Sequence, residues 1–223
     1  MQGVPYVMLP MFVLRAPKVP IPGTDMAGVV EAVGAGVTDV KPGDEVFGWG
    51  DGAFAEAMSV PAGNVLPKPV DFSFEQAAAV GVSAFAALKV MRVRGRIKAG
   101  QKVLVNGASG GVGTYAVQIA KSMGAEVTGV CSGRNAEMVR SIGADHVIDY
   151  TTDDLADHTG RYDLIVDLVG NEPLRELRRA LTPSGTLVVV GGQNPHSLTG
   201  MRRFAAAAVM SPFGRQRLAP LLS

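Results

Sequence analysis

The sequence predicts an α/β chain: a doubly wound parallel sheet with helices on both faces, preceded by a smaller irregular β structure. Three observations carry this reading. From about residue 96 onward, short and nearly all-apolar runs alternate with segments of helical spacing, the pattern of a parallel sheet buried on both faces. Four glycines fall within seven residues, from Gly107 to Gly113, between the first apolar run and the first helical segment. Residues 1 to about 70 have another texture, rich in Gly, Pro and Val and without a helical period.

In the first region "MAGVVEAVG", "DEVFGW" and "AFAEAMSVP" alternate in the manner of short strands, and "KPGDEV" supplies a turn between two of them. "FSFEQAAAVGVSAFAALKVMRV" then reads as a helix, opened by a capping box in which Gln76 follows Ser73. Predicted strands follow at "KVLVNGA", "EVTGVC", "HVIDY", "YDLIVDLV" and "GTLVVVGG". Predicted helices lie at "GTYAVQIAKSMG", "NAEMVRSIG" and "EPLRELRRAL". In the first of these Ala116, Ile119, Ala120 and Met123 share a face, and Gly124 fits a C-terminal cap. The expected organisation is a first domain over 1–72, a connecting helix over 73–95, a nucleotide-binding domain over 96–195 and a helical segment over 196–223.

Composition excludes several functions. With 223 residues and 47% hydrophobic content the chain can bury one large core or two modest ones. A net charge of +1 without a long run of one sign does not suggest a nucleic-acid or acidic-membrane surface. Uninterrupted apolar stretches such as "FAAAAVM" fall far short of the ~20 residues of a spanning helix, so no membrane span is expected. "MQGVPYVMLPMFVL" lacks a basic start and is broken by Pro5 and Pro10, which argues against a secretion signal. A single cysteine excludes an internal disulfide framework and makes the cytoplasm the default compartment. It also excludes a four-cysteine zinc cluster. Cys131 and the histidines His146, His158 and His196 have no ligand-like spacing, so no metal site is expected.

The glycines point to a ligand. Gly107, Gly110 and Gly113 follow a strand and open a helix, the setting in which a G-x-x-G-x-x-G loop receives a dinucleotide pyrophosphate. The loop residues Ala108, Ser109, Gly110, Gly111, Val112 and Gly113 would meet the phosphates, helped by the free N–H groups of the helix start. A cofactor with a free 2′-hydroxyl is usually held by an acidic residue at the end of the second strand. That strand ends in "CSGRN", where Ser132 and Arg134 suit a 2′-phosphate instead, with Tyr150 a candidate phenol from the third strand. Arg134 also reads as a solvated turn residue and Tyr150 as ordinary packing. NADPH is favoured over NADH. At the ends of "DLVG" and "VVVGG", Val169, Gly191 and Gly192 lie where the nicotinamide half would run, although both glycines also read as strand terminators.

"PGTDMAGVVEAVG", "KPGDEVFG", "FSFEQAAAV" and "VLVNGASGGVGTYAVQIAKSMGAEVTGVCS" together resemble the medium-chain dehydrogenase/reductase superfamily, in its zinc-independent quinone oxidoreductase branch. The resemblance covers roughly residues 4 to 193. It implies a GroES-like β-barrel domain, here partial, followed by a Rossmann domain, and reduction of a quinone or α,β-unsaturated carbonyl by hydride from NADPH. Ala108 to Gly113 match the family's pyrophosphate loop, and Ser132, Arg134 and Tyr150 match positions that hold the 2′-phosphate. Zinc-dependent relatives carry a histidine and a glutamate where this chain has Thr24 and Asp25. A threonine near the nicotinamide is replaced by Ala86.

Against that family the chain is expected to lack the early strands that line the substrate cleft. Five sheet strands are counted where six are usual, the sixth being expected beyond "RLAPLLS". A non-catalytic NADPH-binding module, or an inactive fragment of such an enzyme, is therefore the alternative to an active reductase. No catalytic acid is assigned: Tyr6 reads more readily as packing, Cys131 as a buried small side chain and Asp25 as a local hydrogen-bonding group. "MRRFAAAAVMSPFGRQRLAPLLS" reads as a lid over the small-molecule substrate or as part of a homodimer contact.

Overall fold

The computed structural model describes residues 21–191 and 215–221. The alternating segments of the first region form strands Asp25–Val29 (β1), Glu45–Trp49 (β2) and Val65–Pro67 (β3), an antiparallel sheet in the order β1-β2-β3. Asp25 faces Trp49 across the first pair, and Val46 faces Pro67 across the second. The "KPGDEV" turn before β2 forms as the residues dictate. Gly43 takes a left-handed φ of +91°, and Asp44 accepts the Lys41 N–H at 2.9 Å and the Lys41 ammonium at 2.8 Å.

Phe74–Leu88 forms helix α1, and its capping box is reciprocal: Ser73 N–H donates to Gln76 Oε1 at 2.9 Å, and Gln76 N–H to Ser73 Oγ at 3.2 Å. Midway along α1, Val82 N–H donates to Asp25 Oδ1 at 2.5 Å. Gly81 allows this, because the Asp25 carboxylate occupies the space that a Cβ there would need. The helix continues as a π-helical stretch, Lys89–Gly95, that closes on Arg96 with φ 53°, the one non-glycine residue with positive φ among those described. The 22 residues Phe74–Gly95 are long and apolar enough to cross a membrane by length and composition alone. The core helix of a soluble protein meets the same two criteria, so the expectation of no membrane span is neither met nor overturned by it.

Residues 86 onward build a six-stranded, all-parallel sheet in the order β6-β5-β4-β7-β8-β9. Its strands are Lys102–Asn106 (β4), Glu126–Cys131 (β5), His146–Asp149 (β6), Tyr162–Asp167 (β7), Leu181–Val189 (β8) and Arg217–Pro220 (β9). This is the 3-2-1-4-5-6 order of a doubly wound dinucleotide-binding sheet. Helices Gly111–Ser122 (α2), Ala136–Ser141 (α3) and Leu174–Ala180 (α4) complete it. The strand period of two divides the core between the faces. Val103 and Val105 pack with Ala116, Val117 and Ala120 of α2, whereas Leu104 packs with Ile165, Leu177 of α4 and Leu187. Gly124 caps the end of α2 with φ +80°.

Three sequence expectations are corrected here. The sixth strand is present: "RLAP" pairs with β8, Leu218 opposite Leu187, and Leu218 and Ala219 are buried. Four residues ending in proline carry too little pattern to be read as a strand, and it is pairing with β8 that makes them one. Arg217–Pro220 thus leaves the segment 196–223 that was expected to be helical. Strand β8 begins at Leu181 rather than near Gly185, with an irregular register between Tyr162 and Leu164 of its partner, so α4 stops at Ala180.

Candidate functional site

The loop between β4 and α2 uses its glycines for different purposes. Gly107 has φ +89°, and a Cβ there would stand 2.6 Å from Val169 Cγ2, so both backbone and packing require glycine. Its N–H and that of Ala108 both donate to Val130 O, at 3.1 and 3.0 Å, which ties the loop to β5. Gly113, in the first turn of α2, lets the helix press on the loop, because a Cβ would overlap Gly107 O and lie 2.9 Å from Ala108 C. Gly110 differs. It is the N-cap of α2 with φ −81°, and a Cβ would meet only Gly107 O, at 3.4 Å. Packing among the described residues does not require that position to be bare, whereas a ligand pressed against the loop would. No side chain caps the start of α2, so its first N–H groups are left to an anion. Ala108 is fully buried, and only its backbone can serve such a ligand.

Beside this loop, Asn135 Nδ2 donates to Ser109 Oγ at 3.2 Å and to Ser132 Oγ at 3.3 Å. One amide thereby joins the glycine loop to the end of β5, and both hydroxyl protons remain available to donate. Arg134 is exposed and has no ion-pair partner among the described residues. Tyr150 is 56% exposed and borders a cleft of about 370 Å³ together with Asn106, Val130, Ile148, Leu155 and Glu172. Strand β5 ends without a carboxylate, but pairing with β6 puts Asp149 opposite Cys131. The Asp149 carboxylate fills the space beside Gly133 and accepts the Thr151 N–H at 3.0 Å and its hydroxyl at 2.8 Å. Those two bonds, with the Gly133 N–H, hold it below the usual carboxylate range. Burial first, and the Asp149 charge second, push the Cys131 thiol up.

Asn106 and Asp167 end β4 and β7 in register, at the point where the strand order reverses. Asp167 is 0% exposed, and its Oδ1 accepts from Asn106 Nδ2 and from Gly170 N–H, both at 2.9 Å. Asn106 Nδ2 also donates to Asn171 Oδ1 at 2.9 Å. Val169 covers Gly107, and the close approach that Gly191 permits is to the Leu168 carbonyl. Gly192, Tyr6 and residues 201–214 of the expected lid lie outside the described residues. Sequence reading missed Asn106, Asn135 and Asp149. A polar residue closing the apolar run "KVLVN" was a signal for the first; the other two act through partners that only pairing brings close.

Residues 111–212 match the zinc-binding dehydrogenase family model, and residues 5–70 match the alcohol dehydrogenase GroES-like domain. The chain is 35% identical to quinone oxidoreductase of Mus musculus over 81% of its own length and 58% of that protein's. It is also 35% identical to the chloroplast envelope quinone oxidoreductase homolog of Arabidopsis thaliana, over 91% and 64%. It therefore spans less than two thirds of the length of either relative. Among solved structures, Escherichia coli quinone oxidoreductase complexed with NADPH superposes with a TM-score of 0.79 at 27% identity, covering 99% of this chain and 70% of that one. CurK enoyl reductase gives 0.81 at 25% identity, covering 97% and 65%. The first family model has zinc in its description. Among the described residues no group of three or more His, Cys, Asp and Glu side chains could hold a metal, Cys131 is buried, and Asp25 is engaged by α1.

Proposed function

The chain belongs to the medium-chain dehydrogenase/reductase superfamily, in its quinone-oxidoreductase-like branch, and on that premise we propose that it binds NADPH and reduces a quinone or an α,β-unsaturated carbonyl without zinc. The observation that carries this is Gly110: a bare, unstrained N-cap over a helix start with no side-chain cap, where a Cβ would find no neighbour nearer than 3.4 Å among the described residues. The likeness to a quinone oxidoreductase complexed with NADPH and to an enoyl reductase supports the same reading.

NADPH would supply the hydride, and the chain's own residues bind, orient and exclude water. The first N–H groups of α2 would hold the pyrophosphate. Ser132 and Arg134 would hold the 2′-phosphate, with Tyr150 a further candidate, and Asn135 orients the hydroxyls of Ser109 and Ser132. The Asn106–Asp167 pair fixes the ends of β4 and β7 on which the nicotinamide half would rest. A quinone or enone accepts hydride without a strong Lewis acid, which suits a chain whose described residues hold no group of metal ligands. Calorimetric titration of NADPH and then NADH, followed by turnover of a test quinone, tests the reading. Tight NADPH and weak NADH with turnover is the expected result. Binding without turnover favours a non-catalytic NADPH-binding module, and no binding to a folded chain overturns the proposal.

A further inference from the structure

The starting ends of the strands, opposite the edge that carries the nucleotide loop, hold a second charged feature. Arg94 and Arg96 lie where the π-helical stretch turns toward β4, and Arg217 is the first residue of β9, paired with Thr186. Gly95 brings the turn against β7: a Cβ there would stand 2.8 Å from Leu164 Cδ2. Arg94 Nε is buried with no hydrogen-bond partner among the described residues, and Arg96 sits in the left-handed region that side chains disfavour. Asp163, a carboxylate at the same edge, is already engaged by the Lys102 N–H at 3.0 Å and the Thr182 hydroxyl at 3.3 Å. The residues outside the description contain no Asp or Glu.

We infer that Arg94, Arg96 and Arg217 form a binding site for a phosphate-class oxyanion, separate from the nucleotide loop. Guanidinium groups present forked donors that match such an oxyanion, and its charge would relieve the mutual repulsion of three cations drawn from two distant segments. Leu164, which Gly95 touches, pairs with Thr186, and Thr186 pairs with Arg217, so the two segments meet at one level of the sheet. Burial first, and the Arg96 and Arg94 charges second, lower the proton affinity of Arg217. An anion held there would bridge residues 94–96 to the edge strand β9 and so stabilise the sheet.

The test is a pyrophosphate titration of the full chain at fixed ionic strength, followed by backbone amide resonances. The expected result is saturable shifts at Gly95, Arg96, Thr186 and Arg217. Arg217→Gln should weaken that titration about tenfold or more. Arg134→Gln should leave it unchanged at those amides. Shifts confined to the loop around Gly110, or unaltered affinity in Arg217→Gln, would overturn the inference. If Arg217→Gln does not fold, Arg96→Gln at an exposed position takes its place with the same two outcomes.

Discussion

Replacing Gly110 and Gly113 separately by alanine distinguishes a glycine required by a ligand from one required by packing. At Gly113 the added methyl overlaps Gly107 O and crowds Ala108 C, and both are backbone atoms that cannot rotate aside. An overlap this deep on fixed backbone costs about 2–3 kcal/mol, the upper part of the overpacking range, and the better helix propensity of alanine returns about 1 kcal/mol. A net loss of about 1–2 kcal/mol should lower Tm by about 2–8 °C in a chain of this size. At Gly110 the methyl finds its nearest neighbour at 3.4 Å with φ −81°. The poorer N-cap and the stiffer unfolded chain roughly cancel, each being worth about 0.5–1 kcal/mol. Tm should therefore move little, while the methyl stands where a pyrophosphate oxygen approaches. Calorimetric unfolding and NADPH titration on both variants read the two effects. Gly110→Ala with unchanged Tm and undiminished NADPH affinity would refute the ligand role. Gly113→Ala with unchanged Tm would refute the packing argument.

Arg134→Glu should weaken NADPH far more than NADH; equal loss for both would remove Arg134 from the 2′-phosphate. Leu218→Ala should destabilise the chain by about 2–4 kcal/mol in denaturant unfolding, because Leu218 packs in the core beneath β9. A change within about 0.5 kcal/mol would mean that "RLAP" does not form the sixth strand in solution. The buried Cys131 thiol should react with a thiol reagent only on unfolding. Since the folded state raises its pKa, stability should fall as pH rises past the unfolded value of about 8.5. Rapid labelling of the folded chain would contradict its burial. Chelators should leave any quinone turnover unchanged, and loss restored by added zinc would overturn the metal-free reading.

What the sequence by itself determined is local. The capping box at Ser73 and Gln76, the turn at Gly43, the cap at Gly124 and the alternation of Val103, Leu104 and Val105 each depend on neighbours within a few residues, so the pattern encodes them directly. The glycine loop was legible for the same reason: a strand, a bare turn and a helix follow one another along the chain. The tertiary structure decided everything whose partner lies far away. Strand β9 exists because β8 offers an unpaired parallel edge, and Asp149 reaches Gly133 because β5 and β6 pair in that register. Which glycine is open to a ligand was likewise settled in space, by Gly107 O pressing on Gly113 and leaving Gly110 clear. Short-range propensity and periodicity are written in consecutive residues, whereas register, close approach and burial come into being only when distant segments meet.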